Sequence, residues 1–301
     1  MKILITGAAG YIGGMLVDQF KDGPDVQLLA VDRKDQPKAL EHSRVTWCIA
    51  DCAEPNWSAI LGGVKPDVVI HAAWAEHHND VLAAHVFEYC VRNKISKFIH
   101  LSAIDGYGTN TDLPRIENDP LRAGDDLYGR EVMHAELAIK KIYGGSQKHT
   151  QTYILRLPIV FGPRAWQREH FFATLRFFKH GRLPLFVVEP EYLQFQALHE
   201  DDLVDIIGLF VFNKLPDPYE VYNITPEDTV PASGLATIFG KKLITVSKGI
   251  QNVLSRVVPC GLRSSILADG NKFTKKFRYK FNYSTYEALT TDEGRYGIEN
   301  N

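Results

Sequence analysis

Short apolar runs alternate with amphipathic segments along the first half of the chain. The runs resemble buried strands and cover residues 2–6, 26–32, 45–50, 67–72, 97–102 and 152–157. The segments between them carry apolar residues at helical spacing over residues 11–20, 79–92 and 126–142. Strands separated by helices predict βαβ units, so we expect an α/β fold with a parallel sheet and helices on both of its faces.

The pattern loosens after Gly162, where prolines interrupt the chain often. We therefore expect a core of residues 1–160 and a smaller C-terminal α/β lobe of residues 161–301, which would bind the substrate. We also expect this second half to return to the core at least once, near residues 194–212.

Charge and hydropathy exclude several classes of partner. The 301 residues include 34 basic and 36 acidic ones, for a formal charge of −2. This balance argues against nucleic acid or an anionic membrane as a partner. Basic and aromatic residues alternate at 272–281, but a solvated edge of the lobe explains them better than a nucleic-acid site. The apolar stretches are too short to span a membrane.

The four cysteines, Cys48, Cys52, Cys90 and Cys260, form no CxxC pair. In a chain of this length they are most simply reduced thiols, which predicts a cytoplasmic protein. The neighbouring histidines 77 and 78 lack further ligands at matched spacing, so we expect no metal site.

Three glycines, Gly7, Gly10 and Gly13, join the first predicted strand to the first predicted helix. Glycines permit a tight turn, let the backbone approach a pyrophosphate, and allow the helix to pack closely on the sheet. The helix N-terminus adds N–H groups and the positive end of its dipole. Because the motif follows a strand and opens an amphipathic helix, it predicts a Rossmann-type dinucleotide site.

Asp32 ends the second predicted strand, where a carboxylate would accept hydrogen bonds from the ribose hydroxyls of adenosine. A carboxylate repels a 2′-phosphate, so Asp32 favours NAD as the cofactor. Arg33 and Lys34 follow directly and would attract that phosphate, which leaves NADP as the alternative.

With these motifs, the chain resembles the extended short-chain dehydrogenases/reductases, which include NAD-dependent nucleotide-sugar epimerases and dehydratases. The resemblance runs nearly the full chain, through the glycine turn, His71-Ala72-Ala73, Asn79 and the segment 155–163. It implies a doubly wound parallel sheet. It also implies a possible homodimer, paired through the helices at 79–92 and 126–142, where apolar side chains are Ala83, Ala84, Phe87, Ala135 and Leu137.

The same resemblance implies which residues bind ligands. The cofactor residues would be Gly7, Gly10, Tyr11, Ile12, Gly13, Asp32, Arg33, Asp51, Cys52, Ala72, Ala73, Trp74, Leu101, Tyr128, Pro158 and Ile159. The substrate residues would be Arg164, Arg168, His170 and His199. Arginine suits a substrate diphosphate because it makes charge-assisted, often bidentate hydrogen bonds.

The implied catalytic centre departs from the family pattern. Tyr128 occupies the position of the acid/base tyrosine, but Val132 stands where relatives carry a lysine, and no tyrosine of this chain has lysine at i+4. That lysine lowers the pKa of the tyrosine. The hydroxyl position on the fifth strand falls on Ala103, and Ser102 or Asp105 is the candidate replacement. Asn79 matches a further member of the family's catalytic set.

Two hypotheses about function follow. The first is an NAD(P)-dependent epimerase, dehydratase or reductase that acts on a nucleotide sugar or a related polyhydroxylated molecule, with Tyr128 as the acid/base. The second is a dinucleotide-binding module with a sensing or structural role that has lost turnover. The glycines and Asp32 suit both hypotheses, whereas Val132 and Ala103 favour the second.

Overall fold

The computed structural model describes residues 1–108, 114–123, 127–164, 185–187, 193–247, 265–291 and 295. The described residues divide into two compact units. The first unit draws on Met1–Gly106, Leu121–Arg156 and Val204–Tyr222, and the second on Tyr107–Pro120, Leu157–Leu203 and Asn223–Asn301. Over the described ranges, no helix has both the length and the apolar character needed to cross a membrane.

A seven-stranded sheet forms the centre of the first unit. Its strands are β1 (Lys2–Thr6), β2 (Gln27–Asp32), β3 (Val45–Ile49), β4 (Val68–His71), β5 (Lys97–Ala103), β6 (Gln151–Leu157) and β11 (Tyr219–Asn223). They lie in the order β11-β6-β5-β4-β1-β2-β3, and β3, β2, β1, β4 and β5 are parallel neighbours.

The direction of the strand order reverses between β1 and β4. The chain adds β2 and β3 on one side of β1, and it adds β4, β5 and β6 on the other. In a doubly wound sheet, ligands bind at this switch point, beyond the carboxyl ends of the strands. The α/β fold predicted from the sequence is confirmed, and the six predicted strands lie within one residue of their expected bounds.

The main helices of this region are α1 (Tyr11–Phe20), α2 (Asn79–Arg92), α3 (Leu127–Gly145) and α4 (Glu200–Phe212). Short 3-10 turns occupy Lys38–Leu40, Trp57–Leu61 and Ile104–Tyr107. Helices α2 and α3 pack against each other and bury a shared core that includes Leu4, Val69, Phe87, Phe98, Ala135 and Ile154. This packing fixes the starts of α2 and α3, which carry the candidate site residues.

The second unit combines small strand pairs with short helices. Strands β7 (Ile159–Phe161) and β10 (Ala197–His199) are parallel, as are β8 (Leu185–Val187) and β13 (Leu243–Thr245). Strands β9 (Gln194–Phe195) and β12 (Val230–Pro231) are antiparallel. Its described residues include the helices α5 (Ala232–Ile238), α6 (Asn271–Phe277) and α7 (Thr285–Thr290).

Candidate active site

The glycine turn between β1 and α1 is packed so tightly that Gly7 and Gly13 have no room for a side chain. Gly7 adopts a left-handed φ of +71°, and a Cβ atom there would lie 2.7 Å from the backbone of Ala73. A Cβ atom on Gly13 would lie 2.1 Å from the carbonyl oxygen of Gly7, which also accepts a hydrogen bond from Gly10 N at 2.8 Å. The turn therefore needs glycine at both positions.

The turn positions the N-terminus of α1 at the switch point of the sheet. Gly10 is the N-cap residue, has an extended backbone, and provides no side-chain cap. Tyr11 is buried and Ile12 is half-buried, and no acidic residue occupies the first turn. The positive end of the helix dipole and the backbone N–H groups suit a pyrophosphate at this position.

Asp32 connects the glycine turn to the end of β2. Its carboxylate accepts hydrogen bonds from Ala9 N at 2.9 Å and from Lys34 N at 3.0 Å, one on each oxygen. Each carboxylate oxygen has two lone pairs, so further hydrogen bonds from ribose hydroxyls are possible. Asp32 thus shapes the turn and still offers acceptors for adenosine.

Asp51 and Cys52 follow β3, beside the same end of the sheet. Arg33 Nη1 lies 3.7 Å from Asp51 Oδ2, so the arginine that would attract a 2′-phosphate already faces a carboxylate. Burial raises the pKa of the Cys52 thiol to about 12, and Asp51 and Asp32 add to this effect. Cys52 is therefore a neutral thiol and contributes shape, not thiolate chemistry.

Tyr128 and Trp74 form an exposed aromatic pair. Tyr128 lies in the first turn of α3 and is 41% exposed, and Trp74 lies beyond β4 and is 46% exposed. Their ring centroids are 5.7 Å apart, with an angle of 53° between the planes. The structure thus brings together two residues that the sequence predicted for the site.

Val132 lies one helical turn after Tyr128 but points into the protein. It is only 3% exposed, and its Cγ1 atom would contact a Cβ atom placed on Gly106 at 3.4 Å. Ala103, at the end of β5, is also buried, and Asp105 lies half-buried in the 3-10 turn that follows. No charged side chain replaces the family's lysine at position 132.

Asn79 and Glu131 join the starts of α2 and α3. Asn79 N donates to Glu131 Oε2 at 3.2 Å, and Asn79 Nδ2 lies 3.4 Å from Glu131 O. Among the described residues, the buried Asn79 Oδ1 has no hydrogen-bond partner. A buried acceptor of this kind suits a ligand or an ordered water at the site. Sequence reasoning missed Glu131, although it lies three residues after Tyr128.

Ser102 belongs to a buried ionic network and not to an open catalytic surface. Its hydroxyl donates to Glu136 Oε1 at 2.5 Å. Arg156 donates to both oxygens of Glu136, from Nε at 2.9 and 3.2 Å and from Nη2 at 2.6 Å. Two signals in the sequence point to this network: Glu136 lies two helical turns after Tyr128, and Arg156 interrupts the apolar strand β6.

Two stacked histidines lie side by side on β4 and β5. His71 and His100 are register partners, with ring centroids 5.3 Å apart. His71 Nδ1 lies 2.7 Å from Thr6 Oγ1, whereas neither ring nitrogen of His100 has a partner among the described residues. Burial lowers the pKa of His71 well below its usual range, and it lowers the pKa of His100 to about 4, against an opposing effect of Glu136. Both rings are neutral at pH 7.

The other cofactor residues predicted from the sequence lie in both units. In the first unit, Ala72, Ala73 and Leu101 are half-buried at the carboxyl ends of β4 and β5. In the second unit, Pro158 is buried before β7, and Ile159 begins that strand and is exposed.

The predicted substrate residues fall in the second unit. Arg164 N donates to Glu200 Oε1 at 2.9 Å. His199 is buried, accepts a hydrogen bond from Asp201 N at 3.1 Å, and stacks on Tyr283 with a centroid distance of 3.7 Å. These contacts hold the His199 ring in place within that unit, and its role in substrate binding stays a prediction. Arg168 and His170 lie outside the described residues.

The sequence model of the NAD dependent epimerase/dehydratase family matches residues 3–225. An uncharacterized UDP-glucose epimerase of Bacillus subtilis is 26% identical over 196 residues, which cover 54% of this chain and 58% of that relative. The match thus spans a little over half of that relative's length.

Solved structures with similar folds include two epimerases. One is the UDP-glucose 4-epimerase of Thermotoga maritima with UDP-glucose, with a TM-score of 0.75, 19% identity and 96% coverage of both chains. The other is the UDP-glucuronic acid 4-epimerase of Bacillus cereus in complex with UDP-glucuronic acid and NAD, with a TM-score of 0.75, 21% identity and 96% coverage of both chains. At these identities the likeness shows the fold.

Proposed function

This chain belongs to the NAD dependent epimerase/dehydratase family, and on that premise we propose that it acts on a nucleotide sugar with Tyr128 as acid/base. NAD is the cofactor of the family, whose members are enzymes of the short-chain dehydrogenase/reductase superfamily. The observation that carries the proposal is the glycine turn, which places the N-terminus of α1 and Asp32 at the switch point of the sheet.

The described residues fit NAD at this position. The backbone of the glycine turn would hold the pyrophosphate, Asp32 would accept the adenosine ribose hydroxyls, and the unpartnered Asn79 Oδ1 offers a buried acceptor. When bound, NAD supplies a hydride acceptor that can also return the hydride. The carboxylate of Asp32 disfavours the 2′-phosphate of NADP, and the pairing of Arg33 with Asp51 weakens the opposing attraction.

Tyr128 would exchange a proton with a hydroxyl of the sugar. Its exposed ring in the first turn of α3 is accessible to a substrate, which supports this assignment. A tyrosine side chain ordinarily titrates near pH 10, and Val132 supplies no cation that would stabilise its phenolate. We therefore expect turnover near neutral pH to be slower than in a relative that carries the lysine.

The variant Val132→Lys tests this chemistry. We expect it to increase turnover of a UDP-sugar by at least tenfold near pH 7, because a cation one turn away stabilises the phenolate. Because position 132 is buried and apolar, the added charge should also lower the melting temperature, which is measured for each variant. Val132→Met is the matched control, since it adds length at the same buried position without charge. Product formation from UDP-glucose and UDP-glucuronic acid would be followed by chromatography. Equal rates in wild type, Val132→Lys and Tyr128→Phe would contradict the role of Tyr128.

A second candidate function is a dinucleotide-binding module that does not turn over a sugar. The buried Val132 and Ala103 favour it, because neither supplies the charge or hydroxyl that the chemistry uses. This alternative predicts that NAD stabilises the protein while no UDP-sugar is converted, with or without lysine at position 132.

Homodimerisation through α2 and α3 forms a further part of the proposal. Ala83, Phe87 and Ala135 are fully buried in the first unit, so they are part of its core and do not contact a second subunit. Val81 and Leu137 are exposed and could form the contact between subunits. The substitution Leu137→Lys should then shift the protein from dimer to monomer in sedimentation experiments, whereas a wild-type monomer would contradict the pairing.

We also propose a cytoplasmic location for the protein. The free, buried cysteines 48, 52 and 90 support it, because thiols stay reduced in that compartment.

A further inference from the structure

Trp74 and Tyr128 stand out among the aromatic pairs of the described residues, because both rings are exposed. Trp74 is 46% and Tyr128 is 41% exposed, and their centroids are 5.7 Å apart. In the other described ring pairs, at least one member is buried or half-buried. Adjacent exposed aromatic rings beside a predicted site are typical of surfaces that contact a ligand.

The two elements that carry these rings are held together directly. Trp74 precedes α2 and Tyr128 begins α3, and the Asn79–Glu131 hydrogen bonds join the starts of those helices. Helices α2 and α3 also pack along their lengths. The two rings are tilted by 53° relative to each other, and both remain accessible to a ligand.

The position of the Trp74 ring indicates that this surface would contact the sugar and not the cofactor. The backbone of Ala73 lies against Gly7, so a cofactor bound at the glycine turn would pass the backbone of this segment. The Trp74 ring instead contacts Tyr128. Because the Tyr128 oxygen must reach the reacting hydroxyl, a hexose that carries this hydroxyl must also lie beside Trp74.

We propose that Trp74 and Tyr128 form an aromatic platform that binds the hexose ring of the nucleotide sugar, with Trp74 as a specificity-determining residue. This inference rests on the proposed function, since it needs the sugar to reach Tyr128. The apolar C–H face of a pyranose packs on aromatic rings, while the hydroxyls at its edge remain free for hydrogen bonds. The platform contributes to binding of the sugar and not of the nucleotide.

Calorimetry with UDP-glucose and UDP as probes tests the platform, using protein saturated with NAD. The sequence predicts Trp74 as a cofactor residue, whereas the platform assigns its ring to the sugar. We therefore expect Trp74→Ala to weaken binding of UDP-glucose about tenfold, while its affinities for UDP and NAD change less than twofold. Trp74→Phe should retain most of the UDP-glucose affinity. Trp47→Phe is the matched control, because Trp47 lies on β3 and donates to Lys34 O, away from the proposed platform. It should bind like wild type.

Tryptophan fluorescence adds a readout that a merely structural role would not change. Addition of UDP-glucose, but not of UDP, should alter the emission of wild type and Trp47→Phe, and Trp74→Phe should lose this response. Equal weakening of UDP and UDP-glucose, weakening of NAD alone, or unchanged binding in Trp74→Ala would overturn the platform and leave the proposed function standing. Wild-type protein that binds neither NAD nor UDP-glucose would overturn both.

Discussion

Replacing His100 with phenylalanine tests how the buried histidine pair couples stability to pH. The His100 ring stacks beside His71, at a centroid distance of 5.3 Å, and beside Phe98, at 6.3 Å, and the planes of His100 and Phe98 differ by only 7°. Phenylalanine keeps a flat ring in this stack and removes two nitrogens that have no partner among the described residues. Removing unpaired buried polar atoms should make the variant about 1–2 kcal/mol more stable than wild type at pH 7.5.

The difference between variant and wild type should grow as the pH falls. Burial lowers the pKa of His100 from its usual 6.5 to about 4. Between these values the unfolded chain binds a proton that the folded chain does not, so acid favours unfolding of the wild type. Between these pKa values, this histidine lowers the free energy of unfolding of the wild type by about 1.4 kcal/mol per pH unit. By pH 4 the loss reaches about 3 kcal/mol.

Urea denaturation at pH 7.5, 6.5, 5.5 and 4.5 measures this difference. The stability gap between His100→Phe and wild type should widen by about 2 to 3 kcal/mol from pH 6.5 to 4.5. The variant His149→Gln, which removes an exposed histidine, controls for the number of histidines. A gap that stays constant across this range would refute the assignment of His100 as a neutral buried group.

Two further substitutions test the packing of the site. Gly13→Ala would place a Cβ atom 2.1 Å from Gly7 O, so we expect at least about 3 kcal/mol of destabilisation and loss of NAD binding. Gly144→Ala is the control, because Gly144 lies in the last turn of α3 with open space around it, and it should stabilise the protein by up to about 1 kcal/mol. Equal changes in stability for Gly13→Ala and Gly144→Ala would contradict this reasoning. Glu136→Gln removes the carboxylate charge that lies 2.6 Å from the buried Arg156 guanidinium, so chemical denaturation should show a loss of about 3–5 kcal/mol. A loss below about 1 kcal/mol would show that Arg156 finds another partner or water.

The sequence predicts those features that depend on neighbouring residues. Strands and helices of the first half follow from local hydrophobic periodicity, and the glycine turn follows from its position after β1. Contacts between distant residues are not encoded in such patterns. The bonds of Glu136 to Ser102 and Arg156 join residues 34 and 20 positions apart, and they depend on how α3 lies over β5 and β6. The sequence therefore predicted Ser102 as a site residue without revealing that its hydroxyl is already bound.

Some features of the candidate site depend on local sequence and could be predicted, whereas others depend on contacts between distant segments. Asp32 could be placed from its position at the end of a strand. The contact of Trp74 with Tyr128 brings together residues from two segments, and no spacing rule predicts it. The absence of lysine at position 132 was visible in the sequence, but only the structure shows that Val132 fills an apolar interior position.

A titration of ligand-stripped protein with NAD measures the central claim most directly, with NADP and the variant Asp32→Ala as comparisons. NAD at one hundred times its dissociation constant should stabilise the wild type by about 2.7 kcal/mol. NADP should bind more weakly, and Asp32→Ala should lose most of its affinity for NAD. No heat and no rise in melting temperature with either coenzyme at millimolar concentration would contradict the dinucleotide site at the glycine turn.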